Sequence, residues 1–188
     1  MSRGTSSHLM GTGPKNAPPS MARTRPDRRI NYRKYSELRN FEDGAVPQGH
    51  AICTQCHAIW DRKHWHLDEA EYRQLRQDSE VHQMVCPACV KIEREEFDGH
   101  VVLKSPLIPK NEEAIVGLIY NTEAHIRENN PLARIASLTV RGDTIEVLTI
   151  TPFLAERIGK ELRKAYHGTL QLQHPSREDF VRVSWYRE

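Results

Sequence analysis

Four cysteines stand in two pairs, Cys53-Thr-Gln-Cys56 and Cys86-Pro-Ala-Cys89, with 29 residues (57–85) between them. Two thiolates three positions apart on a tight turn can both reach one tetrahedral ion at about 2.3 Å, and a second such turn completes a four-sulfur shell. A closed shell keeps no open position for water, so the expected role is structural rather than catalytic. Zinc is the expected ion; the same donors also suit iron, and that choice stays open. The separation exceeds the usual spacing of about fifteen to twenty residues, and Leu67 to Gln83 reads as a helical insertion between the two turns.

Other chemistries fit parts of the pattern. Cys53-Thr-Gln-Cys56-His57 formally matches a c-type haem attachment run, which leaves the second pair unexplained and normally requires export. Cys86-Pro-Ala-Cys89 matches a redox dithiol, but such motifs open a helix after a strand, and nothing upstream of Cys86 reads as that strand. Six of the ten histidines lie between 50 and 100, namely His50, His57, His64, His66, His82 and His100. His57 stands nearest to replace a cysteine ligand. Against that, four cysteines already fill the shell, which makes these histidines surface or packing residues. Trp60 and Trp65 either stack on bases or form the small core that a metal module otherwise lacks.

The elements that carry these residues follow from pattern. Residues 1–20 are rich in Gly, Pro and Ser with no apolar period, and read as disordered. After Pro109, Ile115, Leu118, Ile119, Thr122 and Ile126 recur every three or four positions, a helical stripe that Asn130-Pro131 terminates. Leu138 and Val140, then Ile145, Val147 and Thr149, alternate about Gly142-Asp143, which predicts a hairpin. Thr151-Pro152 opens a second helix with Leu154, Ile158 and Leu162 on its buried side, and Gly168 ends it. Leu170 and Leu172, then Val181, Val183 and Trp185, predict two final strands. The expected class is α+β, in three parts. Residues 1–49 form a disordered arm, basic from 22; 50–104 a zinc ribbon (treble- or ribbon-like) with a helical insertion; 105–188 a two-layer α/β domain. In that domain two helices cover one face of a mainly antiparallel four-stranded sheet.

Charge is distributed unevenly. Residues 1–40 hold nine Lys or Arg and two acids, whereas the remainder holds eighteen bases and twenty-three acids. Within the arm, Arg23, Arg25, Arg28, Arg29, Arg33, Lys34 and Arg39 could neutralise phosphates, with Tyr32 and Tyr35 to stack on unpaired bases. The alternative is a solvated basic tail. Arg157, Lys160 and Lys164 share one helix side near Glu161, a pattern of ordinary solvated surface, and Arg134 and Arg141 flank the hairpin. No glycine loop for phosphate and no nucleophile elbow is present, so no enzyme is expected. The chain has no apolar run of membrane-spanning length and no Sec-type signal, which predicts a cytoplasmic protein with reduced thiols and no membrane partner.

Several segments together resemble a known family. They are Cys53-x-x-Cys56, Cys86-Pro-Ala-Cys89 with Lys91-Ile92, Pro131-Leu-Ala-Arg-Ile135, Leu154-Ala-x-x-Ile158-Gly159, Ala165-Tyr166-x-Gly168 and Val181-Arg-Val-x-Trp185. Across about 135 of the 188 residues, from Cys53 to Arg187, the chain resembles the small bacterial proteins described as "NMD protein affecting ribosome stability and mRNA decay". That family is similar to the zinc region of the adaptor for 60S ribosomal export. The resemblance implies a zinc ribbon joined to an α/β domain, and a role on ribosomes or RNA. The basic extension before residue 50 departs from it. The expected function is therefore a non-enzymatic zinc protein that docks on the ribosome or structured RNA, as a ribosome-associated factor of the stress or hibernation type. The alternative is a protein–protein adaptor acting through the ribbon.

Overall fold

The computed structural model describes residues 49–175 and 180–188. The arm residues Arg23, Arg25, Arg28, Arg29, Tyr32, Arg33, Lys34, Tyr35 and Arg39, and the disorder expected of residues 1–48, lie outside the described residues. The described elements run β1 (Ala51–Cys53), β2 (Ile59–Asp61), β3 (His64–His66), α1 (Glu69–Leu75), β4 (His82–Met84), α2 (Pro87–Glu93) and β5 (Gly99–Lys104). They continue with α3 (Ile108–Arg127), β6 (Ile135–Arg141), β7 (Thr144–Thr149), α4 (Pro152–Tyr166), β8 (Thr169–Gln173) and β9 (Val181–Tyr186). The chain is mixed α/β, with two sheets ordered β3-β2-β1-β4 and β6-β7-β5-β9-β8. No helix among the described residues is long and apolar enough to cross a membrane.

The first sheet is built from three-residue strands whose alternation sorts residues to two faces. Ala51, Cys53, Trp60 and Trp65 enter one core with Cys86 and Cys89. Ile52 and Ile59 face the other way and pack with Tyr72 of α1. The helical insertion expected from Leu67 to Gln83 is shorter. Asp68 caps α1 by accepting from the amides of Ala70 and Glu71 at 2.9 Å each, and the helix stops after seven residues. His82, Gln83 and Met84 are strand, because they pair in parallel with Ala51, Ile52 and Cys53.

The second sheet has five strands rather than the four expected of the later half. The added strand is Gly99-His-Val-Val-Leu-Lys104, read above with the cysteine region. It lies at the centre, antiparallel to β7 and parallel to β9. Its Val101 and Leu103 are fully buried, which explains the placement: a strand with this much buried apolar surface belongs inside a sheet. The run β5-α3-β6-β7-α4 is a split βαβ arrangement, with β7 between the two strands that α3 connects. The hairpin about Gly142 (φ +59), the Thr151 cap and the two last strands form as their patterns predict.

Two glycines let α4 lie close on the sheet. A Cβ on Gly99 would come within 2.6 Å of the Ala155 Cβ and 2.3 Å of Thr149 Oγ1; one on Gly159 would meet Val183 and Leu170 at 2.6 and 2.8 Å. Helix α3 packs against α4. Gly99→Ala should push helix and sheet apart, lowering stability by about 1–3 kcal/mol with metal content unchanged. Denaturant titration of the two proteins checks this; equal midpoints would show that the contact is loose.

Candidate metal centre

The pairing of β1 with β4 brings the two cysteine turns together. Cys53 ends β1, where its amide donates to Ala58 O at 2.8 Å and its carbonyl accepts from His57 N at 3.1 Å, folding Cys56 back beside it. Thr54 N donates to Met84 O at 2.9 Å, continuing the parallel ladder to within two residues of Cys86. Cys86 is the N-cap of α2, with extended backbone (φ −70°, ψ 159°) and Pro87 at the first helical position. Cys89 lies in the first turn of that helix. Strand β4 therefore does precede the second pair, which corrects the expectation that no strand lies upstream of Cys86. That strand was illegible because its three residues are polar or half-buried, and only the ladder to β1 makes them extended.

A strand leading into a cysteine-capped helix is the setting of a redox dithiol as well as of a metal knuckle. The neighbouring sulfurs distinguish them. Cys53 Sγ lies 3.9 Å from Cys89 Sγ, Cys56 Sγ lies 3.6 Å from Cys86 Sγ, and all four are within 4.8 Å of one another. A tetrahedron with bonds of about 2.3 Å has edges of about 3.8 Å, so the four sulfurs stand where one ion would hold them. All four cysteines are free rather than bridged, and Cys53, Cys86 and Cys89 are buried. Among the described residues no other His, Cys, Asp and Glu group is close enough to hold a metal.

The electrostatics make the same demand. The thiol of Cys53 is held far below its ordinary range by hydrogen bonds from Cys56, Cys86 and Cys89, while Cys86 and Cys89 are pushed far above it by their bonds to Cys53 and Cys56. Cys56 comes to about 7, with Cys53 raising it and Cys86 and Cys89 lowering it. The protons are shared because four adjacent thiolates cannot coexist without a cation; a divalent ion would replace those protons. Two donors also point at the sulfurs from outside: the Cys86 amide to Cys53 Sγ at 3.3 Å, and Arg134 Nη1 to Cys89 Sγ at 3.1 Å. Burial disfavours the Arg134 charge, but the Cys89 and Cys56 sulfurs beside it outweigh that and raise its pKa.

In the sequence Arg134 flanks the hairpin and lies in the Pro131-Leu-Ala-Arg-Ile135 segment of the resemblance, and neither reading places it at the metal. Its position 45 residues beyond Cys89 has no local pattern to reveal it. It arrives because Asn130 turns the chain, accepting from Leu132 N at 3.1 Å, and because Arg134 O accepts from Ile150 N at 2.9 Å. Leu132 and Ile150 then share the core of Cys53, Cys86 and Cys89. His57 is not in the sulfur cluster. It stacks on Tyr72 at 4.0 Å with its Nδ1 3.1 Å from Glu69 Oε2. Trp60 and Trp65 are buried, 5.5 Å apart, and belong to the core. On α4, Arg157 pairs with Glu161 (2.9 Å), Lys160 with Glu156 (2.8 Å) and Lys164 with Glu161 (3.8 Å), so each of the three has a carboxylate beside it, with Glu161 shared by two. Comparisons with protein-family models and with curated proteins find no match to this chain.

Arg134→Met, which keeps the bulk and removes the charge, should weaken metal binding by about 10–100-fold. Competition against a chromophoric chelator measures this, and wild-type affinity in the variant would make the contact incidental. Ligand thiols must lose protons to bind, so affinity should fall as pH falls, and acid should release the ion.

Proposed function

We propose that the chain is a non-catalytic zinc protein that docks on RNA, foremost the ribosome, as an associated factor of the stress or hibernation type. The observation that carries the first half is the four-sulfur cluster, with paired sulfurs 3.6 and 3.9 Å apart. That separation matches a single tetrahedral ion and leaves no room for a larger multi-iron cluster between the sulfurs. Tetrahedral four-sulfur coordination favours zinc, and a full shell leaves no position for substrate. The cysteine half then reads as a zinc ribbon whose small core the ion completes.

RNA docking is supported by the excess of bases over acids in residues 1–40 and by the resemblance to the family affecting ribosome stability. Cations on a polar segment bind phosphate by releasing counterions, and such binding weakens steeply with salt. A protein–protein adaptor is the second reading. It is favoured by Leu67 and Tyr120, exposed at 40 % and 46 %, and by an open groove lined by Leu67, Ala124, Arg127 and Glu128.

Sucrose-gradient sedimentation of the tagged full chain, at low and high salt and with zinc measured on each fraction, tests the proposal. Comigration with a ribosomal particle that is lost as salt rises, with one zinc per chain, is expected. A chain that stays at the top at every salt overturns ribosome docking. Comigration that survives both high salt and ribonuclease assigns the contact to protein. Replacing the seven arm bases by Ser should flatten the salt dependence.

A further inference from the structure

The five-stranded sheet is amphipathic across its whole width. Val101, Leu103, Ile145, Val147, Val181, Val183 and Trp185 are buried on the side that α4 covers. The alternate residues form the opposite face, three positions on each of five strands, and none of them is buried. The register aligns them in rows across the strands. One row reads Arg141, Thr144, Lys104, Tyr186 and Thr169, and another places His100 beside Arg182.

The strand positions of this face are net basic, with Lys104, Arg141 and Arg182 against one acid. On its strands the one acid is Glu146, which lies 4.0 Å from His100 Nε2; the Glu188 carboxylate stands just beyond β9, at the edge of the face. Lys104, Arg141 and Arg182 are exposed, and none of the three is in an ion pair among the described residues. On α4, by contrast, three of the four cations, Arg157, Lys160 and Lys164, have Glu156 or Glu161 beside them, and Arg163 alone is exposed without an ion pair among the described residues. The face also carries an exposed aromatic ring. Tyr186 is 46 % exposed, stands opposite Lys104 in the ladder, and is anchored through its hydroxyl to Glu188 Oε1 at 2.5 Å.

Exposed cations spaced over an open sheet face, Arg182 resting over the Phe180 ring at 5.3 Å and Tyr186 among them, match the chemistry of single-stranded RNA: phosphates at fixed intervals and bases that stack without regard to sequence. We propose that this open face binds a short unpaired stretch of RNA. One base stacks on Tyr186, and Lys104, Arg141 and Arg182 meet the flanking phosphates. Five strands span about 19 Å between the outer two, enough for two or three nucleotides. The proposal rests on the RNA-docking reading above but assigns the contact to a different surface from the basic arm.

The test is fluorescence anisotropy of a 5′-labelled twelve-residue oligouridylate with the zinc-loaded full chain, across a range of salt. Four variants are compared: K104S/R141S/R182S, Tyr186→Ser, Tyr186→Phe, and the seven-base arm variant. The triple variant should bind at least about tenfold more weakly and lose about two units of salt slope. Tyr186→Ser should weaken binding about tenfold and Tyr186→Phe should restore it, since stacking needs the ring and not the hydroxyl. Zinc content and thermal midpoint, read on every variant, separate loss of contact from loss of fold. Wild-type binding that the triple variant and Tyr186→Ser both retain, while the arm variant loses it, overturns the face and leaves RNA docking standing through the arm. Failure of the wild type to bind the oligomer also overturns the face, and the gradient experiment then decides the wider reading. Stronger competition by the matching duplex than by the single strand overturns the preference for unpaired RNA.

Discussion

Four sulfurs within 4.8 Å of one another, three of them in buried residues, require positive charge. Much of the cysteine half is organised by that requirement. Its strands are three residues long and its two cores are small, one mostly alanine, cysteine and two tryptophans and the other Ile52, Ile59 and Tyr72, too little apolar surface to hold a fold of this size unaided. The ladder from β1 to β4, the cysteine cap of α2 and the approach of Arg134 all converge on the sulfurs.

The same cluster joins the two halves of the described chain. Leu132 and Ile150 belong to the sheet half by sequence, yet they pack in the core of the cysteines, and Arg134 reaches Cys89 from the turn leading into β6. At the other side Lys91 of α2 meets Asp98 at 2.6 Å, just before β5, and Asp98 N donates to Thr149 O at 3.0 Å. Both routes from the sulfurs into the five-stranded sheet are short, the first apolar packing backed by Arg134 and the second polar. Disturbance of the metal site therefore reaches the entries to β5 and β6 before it reaches the middle of the sheet.

Much of this was legible in the residues. The paired cysteines declare a shared site because their spacing is local, and the late helices and the hairpin declare themselves because capping and alternation are local too. What escaped was set at a distance. Gly99–Lys104 is bounded by Asp98-Gly99 and Ser105-Pro106, but it lies beside the cysteine region in sequence, and its central place depends on β7 and β9. His82–Met84 has no strand pattern and is extended only by pairing with β1. Arg134 carries no sign of a metal role: an arginine before a hairpin becomes part of a metal site only when Asn130 and Ile150 bend the chain toward Cys89.

The position of β5 also sets an order in time. Its pairing with β9 begins at Gly99 and Val181, closing a loop of about eighty residues, whereas the two cysteine turns are joined within 37 (53–89). Loop-closure entropy and topology both favour the nearer contacts in the race to form. The sulfur cluster can assemble while β5 still has one edge open, waiting for its parallel neighbour. During that interval the central strand of the sheet is the one left incomplete, so the chain is most vulnerable to mispairing with other chains after its metal site is made and before β9 arrives.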